Sequence, residues 1–166
     1  MITGIFIRLE YSHPVDMWSI AVTLAELFRG TVLFPGKSNN DMLNLFMETL
    51  GPFSNKMLKR HCLSYEKLGL IPHFDKETYA FRRHDVDFVT GRPVLRLRPI
   101  TAARLDKSLS HIFLKSMSKS DERIELIKFA DLLVRCLALD PARRLTVEEA
   151  LQHRFLKNQV KKSLDT

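Results

Sequence analysis

The sequence is poor in cysteine and contains no long apolar run. Its two cysteines, Cys62 and Cys136, are too few for a disulfide framework and do not have the spacing of a metal site. No stretch approaches the ~18 consecutive apolar residues that span a bilayer. The N-terminus also lacks the charged segment and long apolar stretch of a signal peptide. These absences predict an intracellular protein that is neither secreted nor embedded in a membrane.

Glycine is also scarce, and its spacing excludes one kind of site. The six glycines stand at positions 4, 30, 36, 51, 69 and 91, and no three of them fit the pattern G-x-G-x-x-G. The sequence therefore offers no glycine-rich loop of the kind that cradles nucleotide phosphates.

Positive charge is what the sequence has in excess, with a formal net charge of +7. This balance favours an anionic partner, or it reflects a solvated basic face. Basic residues outnumber acidic ones between positions 82 and 107, but few aromatic residues interleave with them. Because no RNA-recognition motif is present either, we do not expect direct RNA binding. An acidic or phosphorylated protein is the alternative partner for this segment.

Four helices are predicted by periodicity and by end signals. The first covers Pro14–Arg29 and stops at Gly30; because it is apolar on nearly every side, it should run buried through the middle of a domain. An amphipathic helix begins near residues 38–41 and ends at Gly51. A third helix covers residues 122–139. A capping box at residues 146–149 opens a last short helix.

The segment between about residues 53 and 120 looks irregular. Val86–Val89 and Val94–Leu97 flank a turn at residues 90–93, which predicts a small hairpin whose second strand has one wet side. Such a segment is too long for a plain loop in a compact domain, so it predicts an insertion with a function.

Three separate blocks of sequence point to one family. They are DMWS, AELFRGTVLFPG and LALDPARRLTVEEALQHRF, and together they strongly resemble the lower half of a eukaryotic Ser/Thr protein kinase. LFPGKSNNDMLNLF and the insertion after it resemble the group of cyclin-dependent, mitogen-activated and splicing kinases. The likeness is greatest to the spliceosome-associated pre-mRNA-processing kinases.

This resemblance implies a mainly α, partial protein-kinase-like fold. It would consist of the C-lobe helices that follow the activation segment, with a group-specific insertion at about 53–120 that carries the hairpin. Residues 1–157 would form this C-terminal part of a kinase domain, and residues 158–166 a frayed tail.

The resemblance also assigns roles to residues. Asp16 would hold the backbone of the catalytic loop, which suits an acid at a helix N-terminus, although a simple first-turn aspartate is the alternative. Trp18 would be its buried neighbour, and Arg144 a buried arginine that pairs with a glutamate at the end of the activation segment. A surface that contacts substrates or docking partners would involve these side chains: Glu26, Met42, Phe46, Arg96 and Arg98.

The sequence departs from the family pattern at the partner of Arg144. Counting back twelve residues from Asp16 gives Gly4, so the expected carboxylate is absent. Loss of one member of a buried ion pair commonly costs about 3–5 kcal/mol.

The parts of a kinase that bind nucleotide are missing from the sequence. Two segments are decoys: Arg83-His84-Asp85 is not His-Arg-Asp, and Asp87-Phe88-Val89 lacks the glycine of Asp-Phe-Gly. ATP and Mg serve the full-length family, but no cofactor is expected for this chain alone. We therefore expect an inactive, truncated gene product whose upstream half carries the missing motifs.

Two functions follow from these expectations. The chain is a lobe of a nuclear or cytoplasmic Ser/Thr kinase that phosphorylates proteins of pre-mRNA splicing, or it is a non-catalytic docking module. Its partners would be protein substrates or docking proteins, splicing factors among them.

Overall fold

Helices make up most of the chain that the structure describes. The structure is a computed structural model, and it describes residues 14–100, 106, 108–115 and 120–157. The elements run in the following order: α1 Pro14–Arg29, α2 Asn39–Leu50, α3 Asn55–Lys67, β1 Phe81–Val86, β2 Pro93–Arg98, α4 Leu109–Leu114, α5 Ser120–Cys136, a 3₁₀ turn Pro141–Arg143, and α6 Val147–Leu151. This mainly α architecture with one small sheet agrees with the predicted partial kinase-like fold.

Helix α1 has the predicted bounds but not the predicted burial. Its buried side chains lie on one face, and Ala25 on that face is fully buried. On the opposite face Ile20 is 52% exposed and Leu27 is 74% exposed. The prediction of a helix buried on all sides is therefore wrong. The reason is that α1 packs against α5 and the 3₁₀ turn on one side, and its other side stays open.

Helix α2 confirms the second predicted helix. Ser38 is its N-cap, and the Ser38 hydroxyl accepts a hydrogen bond from the Asp41 backbone N–H at 3.1 Å. Gly36 lies so close to this helix start that an added Cβ would stand 2.6 Å from Met42 Sδ and 2.9 Å from Met42 N. Glycine at this position therefore allows the loop after α1 to lie directly on α2.

Helix α3 corrects the prediction of an irregular segment after residue 53. Ser54 caps it, with the Met57 N–H donating to the Ser54 hydroxyl at 3.4 Å. Its buried positions follow a helical spacing: Met57, Leu58, His61, Cys62 and Tyr65. The intervening residues are charged or polar apart from the exposed Leu63, and His61 is a polar residue on the buried face. The spacing of the apolar residues alone is therefore too weak a signal to predict this helix.

The predicted hairpin is present, but its first strand was misplaced. Strand β1 covers Phe81–Val86 and pairs antiparallel with β2, so residues 87–89 lie in the turn rather than in a strand. The prediction that β2 has only one wet side is also wrong. Val94 is half-buried and every other residue of β2 is exposed, because it is β1 that contacts the body of the protein, through α2.

The C-terminal helices complete the core. Helix α5 covers Ser120–Cys136, close to the predicted 122–139, and packs on both α4 and α1. The Thr146–Glu149 capping box is confirmed, because each side chain accepts a hydrogen bond from the other residue's backbone N–H. No helix within the described ranges is both long enough and apolar enough to cross a membrane.

Candidate functional site

Asp16 lies in the first turn of α1, and its side chain is exposed. The helix N-terminus favours a negative charge there. No hydrogen bond of its carboxylate to another described residue is present. The structure thus places the predicted anchor on the surface, and its role in holding a catalytic loop stays a prediction.

Trp18 is the centre of a buried aromatic cluster. It is 2% exposed, stacks on Phe34 at 6.1 Å between ring centroids, and meets Phe46 edge to face at 5.4 Å. Phe46 is fully buried and also contacts Phe34 at 4.8 Å. Phe46 therefore belongs to the core, because α2 turns this side chain inward, and it cannot form part of an exposed docking surface.

Arg144 connects three parts of the chain from a buried position. Its Nη1 donates to the Pro14 carbonyl at 2.6 Å, and its Nε and Nη2 donate to the Ala138 carbonyl at 3.1 and 2.9 Å. Its guanidinium carbon stands 5.0 Å from the centre of the Trp18 ring, a cation–π distance. Burial lowers the pKa of Arg144 to about 10, so it is still a cation at neutral pH. Gly4, where the sequence lacks the expected carboxylate, lies outside the described residues, as does Glu10, the other acid that could take that role.

A cleft of about 490 Å³ separates α1 from the start of α2. Two of the predicted contact residues line it, Glu26 and Met42, together with Lys37. One carboxylate oxygen of Glu26 accepts the Leu33 N–H at 2.9 Å, so this side chain holds the loop after α1 in place. Glu26 therefore both stabilises this loop and lines the cleft.

Asn40 is a residue whose importance the sequence reasoning missed. It is 3% exposed on α2, and its amide group bonds to the backbone of β1 in both directions. Asn40 Nδ2 donates to the Arg82 carbonyl at 2.8 Å, and Asn40 Oδ1 accepts the His84 N–H at 2.9 Å. The sequence does contain an indication of this role, because Asn40 lies on the same face of α2 as the buried Leu43 and Met47. Asn40 thereby fixes the hairpin to the helical core.

We expect Asn40→Ala to lower the free energy of unfolding by about 1–3 kcal/mol, because it leaves a carbonyl and an N–H of β1, both partly buried in these bonds, without this partner. Denaturant unfolding of the two chains measures the difference. Asn39→Ala is the matched control, since Asn39 is exposed on the same helix. Equal losses for the two variants would show that the Asn40 bonds add nothing.

His73 gives the same region a pH dependence. Burial, and then the neighbouring His84, lower the pKa of His73. Its Nδ1 is 3.2 Å from Asn40 Nδ2, and its ring also faces His61 and Tyr65 of α3. Neutral His73 can accept the amide hydrogen, whereas the imidazolium cannot.

We therefore expect the chain to lose stability on acidification from neutral pH. The unfolded chain takes up the His73 proton near its ordinary pKa of about 6.5, before the folded chain does. The contribution is complete above that pH and is lost as the pH falls through the lower pKa of the folded state. Unfolding of wild type and His73→Gln between about pH 5 and 8 measures it, and identical pH slopes would contradict it.

The hairpin carries the two remaining predicted contact residues, Arg96 and Arg98. Their side chains are 53% and 49% exposed, and they lie near acids of the same hairpin, with Arg98 Nη2 3.4 Å from Asp85 Oδ2 and Arg96 Nη2 4.0 Å from Asp87 Oδ2. Exposed pairs of this kind contribute little to stability. The two arginines are thus placed at the surface and apart from the cleft.

The segments that superficially resemble catalytic motifs have a structural use here. Asp87 Oδ1 accepts hydrogen bonds from the N–H groups of Val89 and Thr90 and from the Thr90 hydroxyl. The bonds from Thr90 lower the pKa of Asp87. Asp87 therefore organises the hairpin turn.

Within the described ranges, no three His, Cys, Asp or Glu side chains are grouped so as to hold a metal ion. The residues that the structure describes thus do not fit a Mg-nucleotide complex.

Comparison with known proteins gives the same family over nearly the whole chain. The model of the protein kinase domain matches residues 5–156. The chain is 38% identical over 150 residues to the serine/threonine-protein kinase prpf4B of Dictyostelium discoideum, which covers 89% of this chain and 17% of the relative. It is 36% identical over 152 residues to the serine/threonine-protein kinase prp4 of Schizosaccharomyces pombe, with 91% of this chain and 30% of the relative covered. The human dual specificity tyrosine-phosphorylation-regulated kinase 3 is 32% identical over 165 residues, with 98% of this chain and 26% of the relative covered. The chain thus spans less than a third of the length of these relatives.

Proposed function

The chain belongs to the protein kinase family, and from this premise we propose that it supplies the C-terminal lobe of a Ser/Thr kinase that phosphorylates proteins of pre-mRNA splicing. The lobe would support the transfer of phosphate from Mg-ATP by residues that this chain does not contain. The 166 residues alone would therefore not transfer phosphate.

The observation that carries the proposal is the way Arg144 fixes the start of α1. Its bond to the Pro14 carbonyl holds the backbone two residues before Asp16, while its ring contact with Trp18 holds the side that faces the core. Asp16 is thereby presented on a fixed first turn with its carboxylate exposed. Such a carboxylate can accept backbone N–H groups from a loop laid across it, which is the anchoring role proposed for it.

Phosphate transfer from labelled Mg-ATP to a serine-rich protein substrate tests the catalytic part. We expect none above background from the 166-residue chain and clear transfer from a longer polypeptide that joins it to a kinase half with the glycine-rich loop and the catalytic-loop motifs. In that longer protein, Asp16→Asn should lower kcat at least about tenfold, a loss of ~1.4 kcal/mol of transition-state stabilisation. Transfer by the short chain, or a silent Asp16→Asn, would contradict the proposal.

The link to splicing rests on the resemblance to pre-mRNA-processing kinases, and it includes a nuclear location. Intron retention after removal of the gene, together with nuclear fluorescence of a tagged chain, is the expected result. A purely cytoplasmic chain with unchanged splicing would overturn this part and leave the kinase part intact.

A protein-interaction module is the second candidate function. It is favoured by the cleft between α1 and α2 and by a hairpin that projects exposed side chains on both faces. Such a module would bind a protein partner without phosphate transfer. Capture of the same defined partner by the 166-residue chain and by a catalytically dead longer chain separates it from the first candidate.

A further inference from the structure

The two edges of the hairpin differ in whether their backbone groups are used. On the outer side of β1, the Arg82 N–H donates to the His73 carbonyl at 2.8 Å. On the same side, the Asn40 side-chain amide donates a hydrogen bond to the Arg82 carbonyl and accepts one from the His84 N–H. Phe74 further forms a bridge with Phe81. This edge of the sheet is therefore covered by the body of the protein.

The register then fixes which groups of β2 point outward. Arg82 lies opposite Leu97, and His84 lies opposite Leu95. Since Arg82 and His84 direct their backbone groups away from β2, these are the non-hydrogen-bonded pairs of the antiparallel ladder. The facing residues Leu95 and Leu97 must accordingly direct their N–H and C=O groups away from β1. No described strand pairs with that side of β2.

The side chains along this open edge alternate in character. Leu95 and Leu97 are 57% and 58% exposed on one face. Arg96 and Arg98 are about half exposed on the other face. An open strand edge with exposed leucines is a template for pairing with another strand.

We propose that the outer edge of β2 binds an extended segment of a partner protein in which apolar and acidic residues alternate. The segment adds a third strand to the sheet. Its backbone bonds to Leu95 and Leu97, its apolar side chains cover the two leucines, and its carboxylates face Arg96 and Arg98. Binding at this edge does not require phosphate transfer. The proposal and the kinase proposal can therefore fail independently of each other.

The positive charges of Arg96 and Arg98 disfavour a second copy of the chain as the strand that pairs with the outer edge of β2. Antiparallel pairing of two copies through the outward groups must set Leu95 or Leu97 opposite Leu95 or Leu97. Two of the three registers that do so place like charges opposite within β2, namely Arg96 opposite Arg96 or Arg96 opposite Arg98. The third places Arg98 opposite Arg92, the residue just before β2 begins. Like charges directly opposite in a sheet are destabilising, whereas an acidic strand turns the same positions into favourable pairs.

Fluorescence anisotropy with a labelled synthetic peptide tests the proposal on the 166-residue chain. The probe alternates valine and glutamate over about eight residues, a common strand length. A peptide of the same composition with its valines and glutamates in separate blocks is the comparison. We expect the alternating peptide to bind at least about tenfold more tightly, which corresponds to ~1.4 kcal/mol.

Charge reversal gives a matched pair of variants. Arg96→Glu with Arg98→Glu should weaken binding of the alternating peptide about tenfold, equivalent to ~1.4 kcal/mol. Lys59→Glu with Arg60→Glu changes the net charge equally on the exposed side of α3 and should leave the affinity unchanged. Equal losses in both variants would reduce the effect to general electrostatic attraction and overturn the proposal.

Amide hydrogen exchange shows whether a strand is added. In the free chain, the N–H groups of Val94, Arg96 and Arg98 should be protected by the ladder with β1, while those of Leu95 and Leu97 exchange freely. The alternating peptide should then protect Leu95 and Leu97. Leu97→Pro removes an outward N–H and the leucine side chain but no N–H of the ladder with β1, and it should weaken binding. The proposal is wrong if the ladder amides are unprotected in the free chain, if Leu95 and Leu97 stay unprotected with bound peptide, or if the chain self-associates through this edge.

Discussion

Replacing Trp18 by alanine is expected to lower the free energy of unfolding by about 3–5 kcal/mol. The ring is 2% exposed and lies between Phe34 and Phe46, so its removal leaves a cavity that two other rings border. The cluster joins α1, the loop after it and α2, and these rigid elements cannot all move to fill the space. Equilibrium denaturation in urea measures the loss.

Two variants distinguish the ring from the helix that carries it. Leu27→Ala, at a side chain of α1 that is 74% exposed, should change stability by no more than about 0.5 kcal/mol. Trp18→Phe keeps an aromatic ring and should cost less than Trp18→Ala. If Leu27→Ala and Trp18→Ala are equally costly, the aromatic cluster is not the source of stability at this position.

The bounds of α1 were predictable because they depend on local signals. Pro14 fits only a first helical turn, and Gly30, with φ of +69°, takes the left-handed conformation that ends the helix. Which sides of α1 are buried was not predictable in the same way. Ile20 and Leu27 are apolar, yet their exposure is decided by the elements that pack nearby, and helix periodicity carries no information about those elements.

Long-range contacts likewise explain what was missed at the hairpin. Asn40 bonds to residues more than 40 positions away along the chain. No turn or capping pattern announces such a contact; only its place on the buried face of α2 indicates that the amide needs partners. The start of β1 was misplaced because Asp87 and Thr90 form the turn, and an Asp-x-x-Thr turn is a weaker signal than the Thr-Gly-Arg-Pro run that follows.

Arg144→Met is expected to cost about 3 kcal/mol, the second large effect. Methionine fills much of the same space but cannot donate hydrogen bonds to the Pro14 and Ala138 carbonyls. Each of these partly buried carbonyls that loses its partner costs about 1–3 kcal/mol, and relief from burying a cation offsets part of that sum. Arg143→Met is the matched control, because Arg143 is the exposed neighbour in the 3₁₀ turn, and it should be nearly neutral.

The same variant tests whether Arg144 and Trp18 act as one unit. The guanidinium lies over the indole, so losing either group weakens what the other contributes. In a double-mutant cycle with Trp18→Ala, the two losses should therefore sum to more than the loss in the double variant, by about 0.5–2 kcal/mol. Full additivity would mean that the contact with the Trp18 ring adds nothing to what Arg144 contributes. A nonzero coupling would show that the start of α1, where Asp16 lies, is held by its backbone and by its buried ring together.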